Sequence, residues 1–174
     1  MKFFTPRLIS AVVVVGAVVM SLAATFIVMR LGLANANGDS IARLNLARRV
    51  VDGTEPGFSQ LWYVWLPAPS VLMLPFVWID SVYYSGMAGI LVSMISFVLA
   101  SWFIYHIGQI IMDPVAGAIA AFLFMFNPNM LYVQATPLSE MFYIAMILGA
   151  VYYALLWAKH LRDMDLVISG IFFL

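Results

Sequence analysis

Long apolar runs separated by short polar breaks set the outline of this chain. Residues 8–33 form the first run, about 26 residues with Arg30 as its sole charge, long enough to cross about 30 Å of hydrocarbon with some tilt. Further runs at about 85–107, 114–133 and 141–158 predict three more crossings, and a last apolar stretch begins at 166–174. About nine residues cannot cross a bilayer, so the final stretch reads as the start of another span and the chain as the front part of a larger protein. Gly86, Ala88, Gly89, Ser93, Ser96 and Ala100 give the second run small surfaces for close helix packing. Asp113-Pro114 starts the third, with Asp113 as N-cap and Pro114 at the first helical position, and Asn127-Pro128 is expected to kink it near its end.

Between the first two runs lies a different composition. Residues 34–84 carry Asp39, Arg43, Arg48, Arg49, Asp52, Glu55 and Asp80, and read as one long loop lying on the membrane. Its first part, 40–52, places Ile41, Leu44, Ala47 and Val51 on one helical face and Asn45, Arg48, Arg49 and Asp52 opposite, while Arg43 breaks the pattern. Such a helix should rest in the interface with its apolar face down. Gly53 and Pro56-Gly57 then stop it. Residues 58–79 are apolar enough to span, but Pro67, Pro69 and Pro75 remove three backbone donors, so the segment is expected to be interfacial or partly re-entrant. Trp62, Tyr63, Trp65 and Trp78 suit the headgroup level there, with sugar stacking as the alternative use of the same rings.

Composition sharpens this picture. With 65% hydrophobic and 9% charged residues, the chain holds far more apolar surface than one soluble core can hide, and the predicted class is an all-α, polytopic helical membrane protein with interfacial amphipathic helices. A formal net charge of zero gives no electrostatic reason for a nucleic-acid partner. The absence of cysteine excludes disulfides, thiolate metal sites and thiol nucleophiles. A cleavable leader is a second reading of the N-terminus, with Lys2 and Arg7 as its basic head and Ala34-Asn35-Ala36 as a small-residue site, but the apolar run is longer than the usual 7–15 residues or so.

Orientation follows from the basic residues. Lys2 and Arg7 hold the N-terminus in the cytoplasm, and with four crossings Lys159 and Arg162 also fall inside. Asp39, in Gly38-Asp39-Ser40, and Glu140, in Thr136-Pro137-Leu138-Ser139-Glu140, then share the outer face of an inner or plasma membrane. The outer cluster of Arg43, Arg48 and Arg49 calls for an anionic partner, and phosphate or anionic lipid is the natural one. Asp39 is of the type that can serve as a base, and Arg43, Arg48 and Arg49 of the type that stabilises charge on a phosphate.

Each residue also has a structural reading. Asp39 is placed to cap the helix that follows it, Glu140 to complement a helix dipole, and the arginines to meet lipid headgroups. Asp52, Glu55 and Asp80 read as solvated loop charges, His106 as a satisfied or interfacial histidine and His160 as part of an inner basic turn. No phosphate-binding glycine loop, metalloprotease motif or nucleophile elbow is present.

The order of these parts resembles the membrane glycosyltransferases of the C-type fold, in particular the group of dolichyl-phosphate-mannose protein mannosyltransferases and bacterial aminoarabinose transferases. The resemblance runs from the first span through the acid of Gly38-Asp39-Ser40, the interfacial helices, the Trp65-Leu66-Pro67-Ala68-Pro69 segment, the small-residue span, Asn127-Pro128 and the second acid, Glu140. It implies inverting transfer of a sugar from a polyprenyl-phosphate donor to a glycan, lipid or protein acceptor on the outer face. Asp39 then takes the role of base or acceptor-orienting acid, and Glu140 that of a second site acid supporting acceptor or metal binding; a divalent metal is left open. This chain has Asp39-Ser40 where many relatives have Asp-Glu, and Glu140 where many have Asp. From other classes come a transporter or flippase, which would show a buried midplane charge or broken helices, and a structural subunit without catalysis.

Overall fold

The computed structural model describes residues 5–61 and 65–173; Lys2, Trp62, Tyr63 and Leu174 lie outside the described residues. Among the described residues every regular element is helical. The first helix, α1 (Pro6–Arg30), starts two residues before the predicted run, because Thr5 caps it through its hydroxyl and Pro6 needs no amide partner at the first turn. It stops at Arg30 and not at Leu33, since the backbone turns at Leu31 and Gly32, where φ reaches +69°. Val13, Ala17, Ser21, Thr25 and Val28 form its buried stripe, while Val15, Val19, Leu22 and Phe26 point outward. A helix whose large apolar side chains face away from the protein core is suited to lipid.

The loop region then forms α2 (Gly38–Val51), a 3₁₀ turn (Phe58–Leu61), α3 (Ala68–Val77) and α4 (Asp80–Tyr84). At 10 residues α3 is about 15 Å long, half of what a crossing needs, so the three-proline segment does not span as a helix. The face of α2 is a correction. Ile41 is exposed, and the buried residues are Ser40, Arg43, Leu44, Leu46 and Ala47. Leu44 and Ala47 pack with Met73 and Val77 of α3 and with Ala88 and Val92 beyond it. The helix therefore packs its inner face on protein, and Arg43, the residue that breaks its apolar pattern, is inside.

Next, α5 (Met87–Ile111) runs four residues further than the apolar run predicted and buries the expected small residues, Ala88, Gly89, Ser93, Ser96 and Ala100. Its far end meets α6 (Pro114–Met125) so closely that a Cβ on Gly108 would stand 2.6 Å from Gly117 Cα. Asp113 caps α6 as predicted, accepting from the amides of Val115 and Ala116 at 2.8 and 2.9 Å. The segment 114–133 breaks at Asn127-Pro128, where the kink was expected. It divides into α6 and α7 (Pro128–Gln134), bent by 67°, because Asn127 accepts from the amides of Asn129 and Met130 and starts a new helix. Finally, α8 (Glu140–His160) is stopped by Leu161 in the left-handed region, and α9 (Asp163–Ile171) folds back on it through Ser169, which donates to Ala150 O at 2.9 Å. Three helices, α1, α5 and α8, are long and apolar enough to cross a membrane, and a fourth crossing results if α6 and α7 count as one.

One core joins the bundle, with Val13 and Ala17 of α1, Phe97 and Tyr105 of α5, Ala121 and Met125 of α6 and Met141 of α8 in contact. Residues 134–140, between the third and fourth predicted runs, form the expected short connection, and 134–139 of it are buried. Irregular backbone survives in such a place only when its polar groups are satisfied by protein. Gln134 accepts from the Ser21 hydroxyl at 2.7 Å and donates to Ser21 O and Leu131 O, Ser93 donates to Leu138 O at 2.9 Å, and Thr136 donates to Val133 O. Gly89 admits the segment, because a Cβ there would lie 2.4 Å from the Pro137 ring.

Candidate functional site

The turn that buries 134–139 delivers Glu140 to the same end of the bundle as α2. There α1 ends and α5 begins, tied by Asn35 donating to Tyr84 O at 3.3 Å and by Val28, Ala34, Ile90 and Ala135 in one cluster. The other end holds the start of α1, where the Tyr105 hydroxyl of α5 donates to Pro6 O at 2.9 Å. Asp39 and Glu140 are thus at one end, both exposed and both in the first turn of a helix. The capping role considered for Asp39 falls to Asn37, whose side chain accepts from the Asp39 amide at 3.0 Å. The Asp39 carboxylate is left pointing to solvent. Glu140 follows Ser139, which makes no side-chain capping bond, so its charge meets the α8 dipole directly.

The three arginines separate sharply. Arg48 binds Asp52 at 2.9 Å and Asp80 at 2.7 Å, donates to Val77 O and lies over the Tyr83 ring. The Asp52 bond above all, with Asp80 adding to it, raises the Arg48 pKa beyond its ordinary value. Its donors hold α2 to the end of α3 and the start of α4, so Asp52 and Asp80 are paired despite their exposure. Arg49 projects outward from the last turn of α2. Arg43 is different: it is 7% exposed, its guanidinium stands 4.7 Å over the Trp65 ring, and Nε and Nη1 have no hydrogen-bond partner among the described residues.

Energetics show why Arg43 matters. A desolvated cation–π contact contributes about 2 kcal/mol, whereas each buried donor left unpaired costs about 1–3 kcal/mol and more when charged. Trp65 alone does not offset two bare guanidinium donors. Among the described residues ion pairs form only at Arg48, so neither Asp39 nor Glu140 neutralises Arg43. One turn before it, the Ser40 hydroxyl is fully buried and likewise unpartnered. Tyr143, one turn into α8 from Glu140, lies within electrostatic range of both Arg43 and Glu140. Buried, unpartnered donors of Ser40 and Arg43 thus lie on α2 within one turn of the exposed Asp39.

Ser40, Tyr143 and the Arg43–Trp65 stack were missing from the expected site. Ser40 and Arg43 share a face at i and i+3, as do Glu140 and Tyr143, and that spacing was the available signal. Trp65, taken for an interfacial anchor, packs beneath Arg43, while Trp78 is exposed as an anchor should be. Among the described residues no three His, Asp or Glu side chains converge as metal ligands. His106 sits at the opposite end, between Ser10 at 3.3 Å and Gln109 at 3.1 Å, satisfied as predicted. Comparison with family models, with curated proteins and with solved structures found no match to this chain.

Proposed function

We propose that this protein transfers a sugar from a polyprenyl-phosphate carrier to an acceptor at the membrane face where α2 meets the start of α8. The observation that carries the reading is Arg43, a buried guanidinium with two unpartnered donors beside the exposed Asp39 and Glu140. Phosphate is the anion that a guanidinium fits best, and a lipid-linked phosphate sits at the depth of an interfacial helix. In the proposed step the acceptor hydroxyl attacks the anomeric carbon, its proton passes to the Asp39 carboxylate, and the sugar–phosphate bond breaks with its electron pair leaving on phosphate. Arg43 stabilises the charge that grows there, Ser40 adds a neutral donor, and Glu140 orients the acceptor. Attack opposite the leaving group inverts the anomeric centre. Arg49, on the outer surface of α2, suits the approach of an anionic carrier, whereas Arg48 serves by holding the helix in place.

Replacing Asp39 by Asn in the full-length protein tests the role of the base. Transfer is expected to fall at least about 100-fold, the usual share of a positioned general base; near-normal turnover would remove Asp39 from the chemistry. A transporter or flippase is the second reading, favoured by the 67° break between α6 and α7 and the buried backbone beyond it. On that reading the acids belong to a proton or ion path, and Asn127 and Gln134 variants abolish transport. A structural subunit predicts no loss from the Asp39→Asn, Glu140→Gln double variant.

A further inference from the structure

At the end of the bundle away from Asp39, the first turns of α1 and the last turns of α5 enclose a polar cleft of about 280 Å³ lined by Pro6, Arg7, Ser10, His106 and Gln109. All four side chains other than Pro6 can donate a hydrogen bond, and Arg7 adds a permanent positive charge. Neither α1 nor α5 contains an acid to compete for that charge. Asp113, just beyond α5, is engaged in capping α6. His106 is held in place by its Ser10 and Gln109 contacts and by the Trp102 ring, whose centroid is 4.2 Å from its own.

The same seam changes character towards the middle of the bundle. Val18 and Leu22 of α1 face Leu91, Met94 and Val98 of α5 across an apolar groove of about 340 Å³. Helical periodicity puts Arg7, Ser10, Val18 and Leu22 on one side of α1, and Leu91, Val98, His106 and Gln109 on one side of α5. Ser10 and Val18 are about 12 Å apart along the axis, within the roughly 15 Å of hydrocarbon that one leaflet contributes. Polar cleft and apolar groove therefore follow one another as headgroup and chain do in a lipid.

We infer that the α1–α5 seam holds one anionic phospholipid, its phosphate in the cleft of Arg7, Ser10, His106 and Gln109 and an acyl chain in the groove beside Val18 and Val98. The occupant belongs to the leaflet on the Arg7 side, so this site is separate from the one proposed for sugar transfer and does not depend on it. Basic clefts between membrane helices are established as places where phospholipid headgroups dock.

Native mass spectrometry of the full chain, released from micelles containing equal phosphatidylglycerol and phosphatidylcholine, tests the inference. The wild-type chain should retain one phosphatidylglycerol about five-fold in preference to phosphatidylcholine, the ratio that one basic residue contributes at an anionic surface. Arg7→Gln should bring the two lipids to parity, Val18→Trp should lower retention of both by filling the groove, and Arg30→Gln, at the far end of α1, should change neither. Equal retention of the two lipids by the wild-type chain, or an Arg7→Gln chain that keeps the preference, would overturn the site. Displacement of the lipid by inorganic phosphate would overturn the groove and leave a simple anion cleft.

Discussion

Arg43 is costly where it stands, and its retention separates stability from chemistry. Replacing it with Met removes a desolvated charge and keeps a side chain able to lie on Trp65, so the variant should unfold at the same or a higher temperature in detergent. Sugar transfer should nevertheless be lost. A variant that loses both stability and activity would mark Arg43 as a structural cation instead. Gln134 gives the opposite case, a buried polar group fully satisfied by Ser21 and Leu131. Gln134→Leu should cost about 1–3 kcal/mol, because Ser21 loses its buried partner, and thermal unfolding reads that directly. At this scale the surroundings of the candidate residues were not legible in the sequence. Arg43, Arg48 and Arg49 are equivalent by composition; burial against Trp65, pairing with Asp52 and Asp80, and projection to solvent depend on partners up to 32 residues away.

Elements with strong local signals were legible, and those set by tertiary contacts were not. Asp113-Pro114 starts a helix where such a pair should, and the small-residue stripe of α5 packs as its composition implies. The place of the break in the 114–133 run was legible at Asn127-Pro128, and its 67° size follows from Asn127 acting as a new N-cap. Burial of 134–139 was invisible locally, since it depends on Ser21 and Ser93 supplying bonds from other helices. The long loop owes its placement to the Arg48 clip. Arg48→Gln releases α2 from Val77 and Asp80 and unpairs Asp52 at its own C-cap, so hydrogen exchange should accelerate in 43–52 and in α4 while α5 and α8 stay protected. Unchanged exchange in α2 would mean that Leu44 and Ala47 hold it alone.

Across the whole molecule, an apolar bundle carries two polar ends of different chemistry. The end formed by α2 and the start of α8 presents acids around a buried guanidinium, and the end formed by Pro6 and His106 presents donors around a cleft. The proposed four crossings, with Lys159 on the side of Arg7, require α6 and α7 together to count as one span despite their bend. The absence of cysteine makes this arrangement open to direct measurement. Single Gly38→Cys, Glu140→Cys and His160→Cys chains in sealed vesicles, treated with a membrane-impermeant maleimide, report which positions share a face. Labelling of 38 and 140 from one side and of 160 only after the vesicles are opened is the predicted pattern. Positions 38 and 140 reacting from opposite sides would leave Asp39, Arg43 and Glu140 without a common reaction centre.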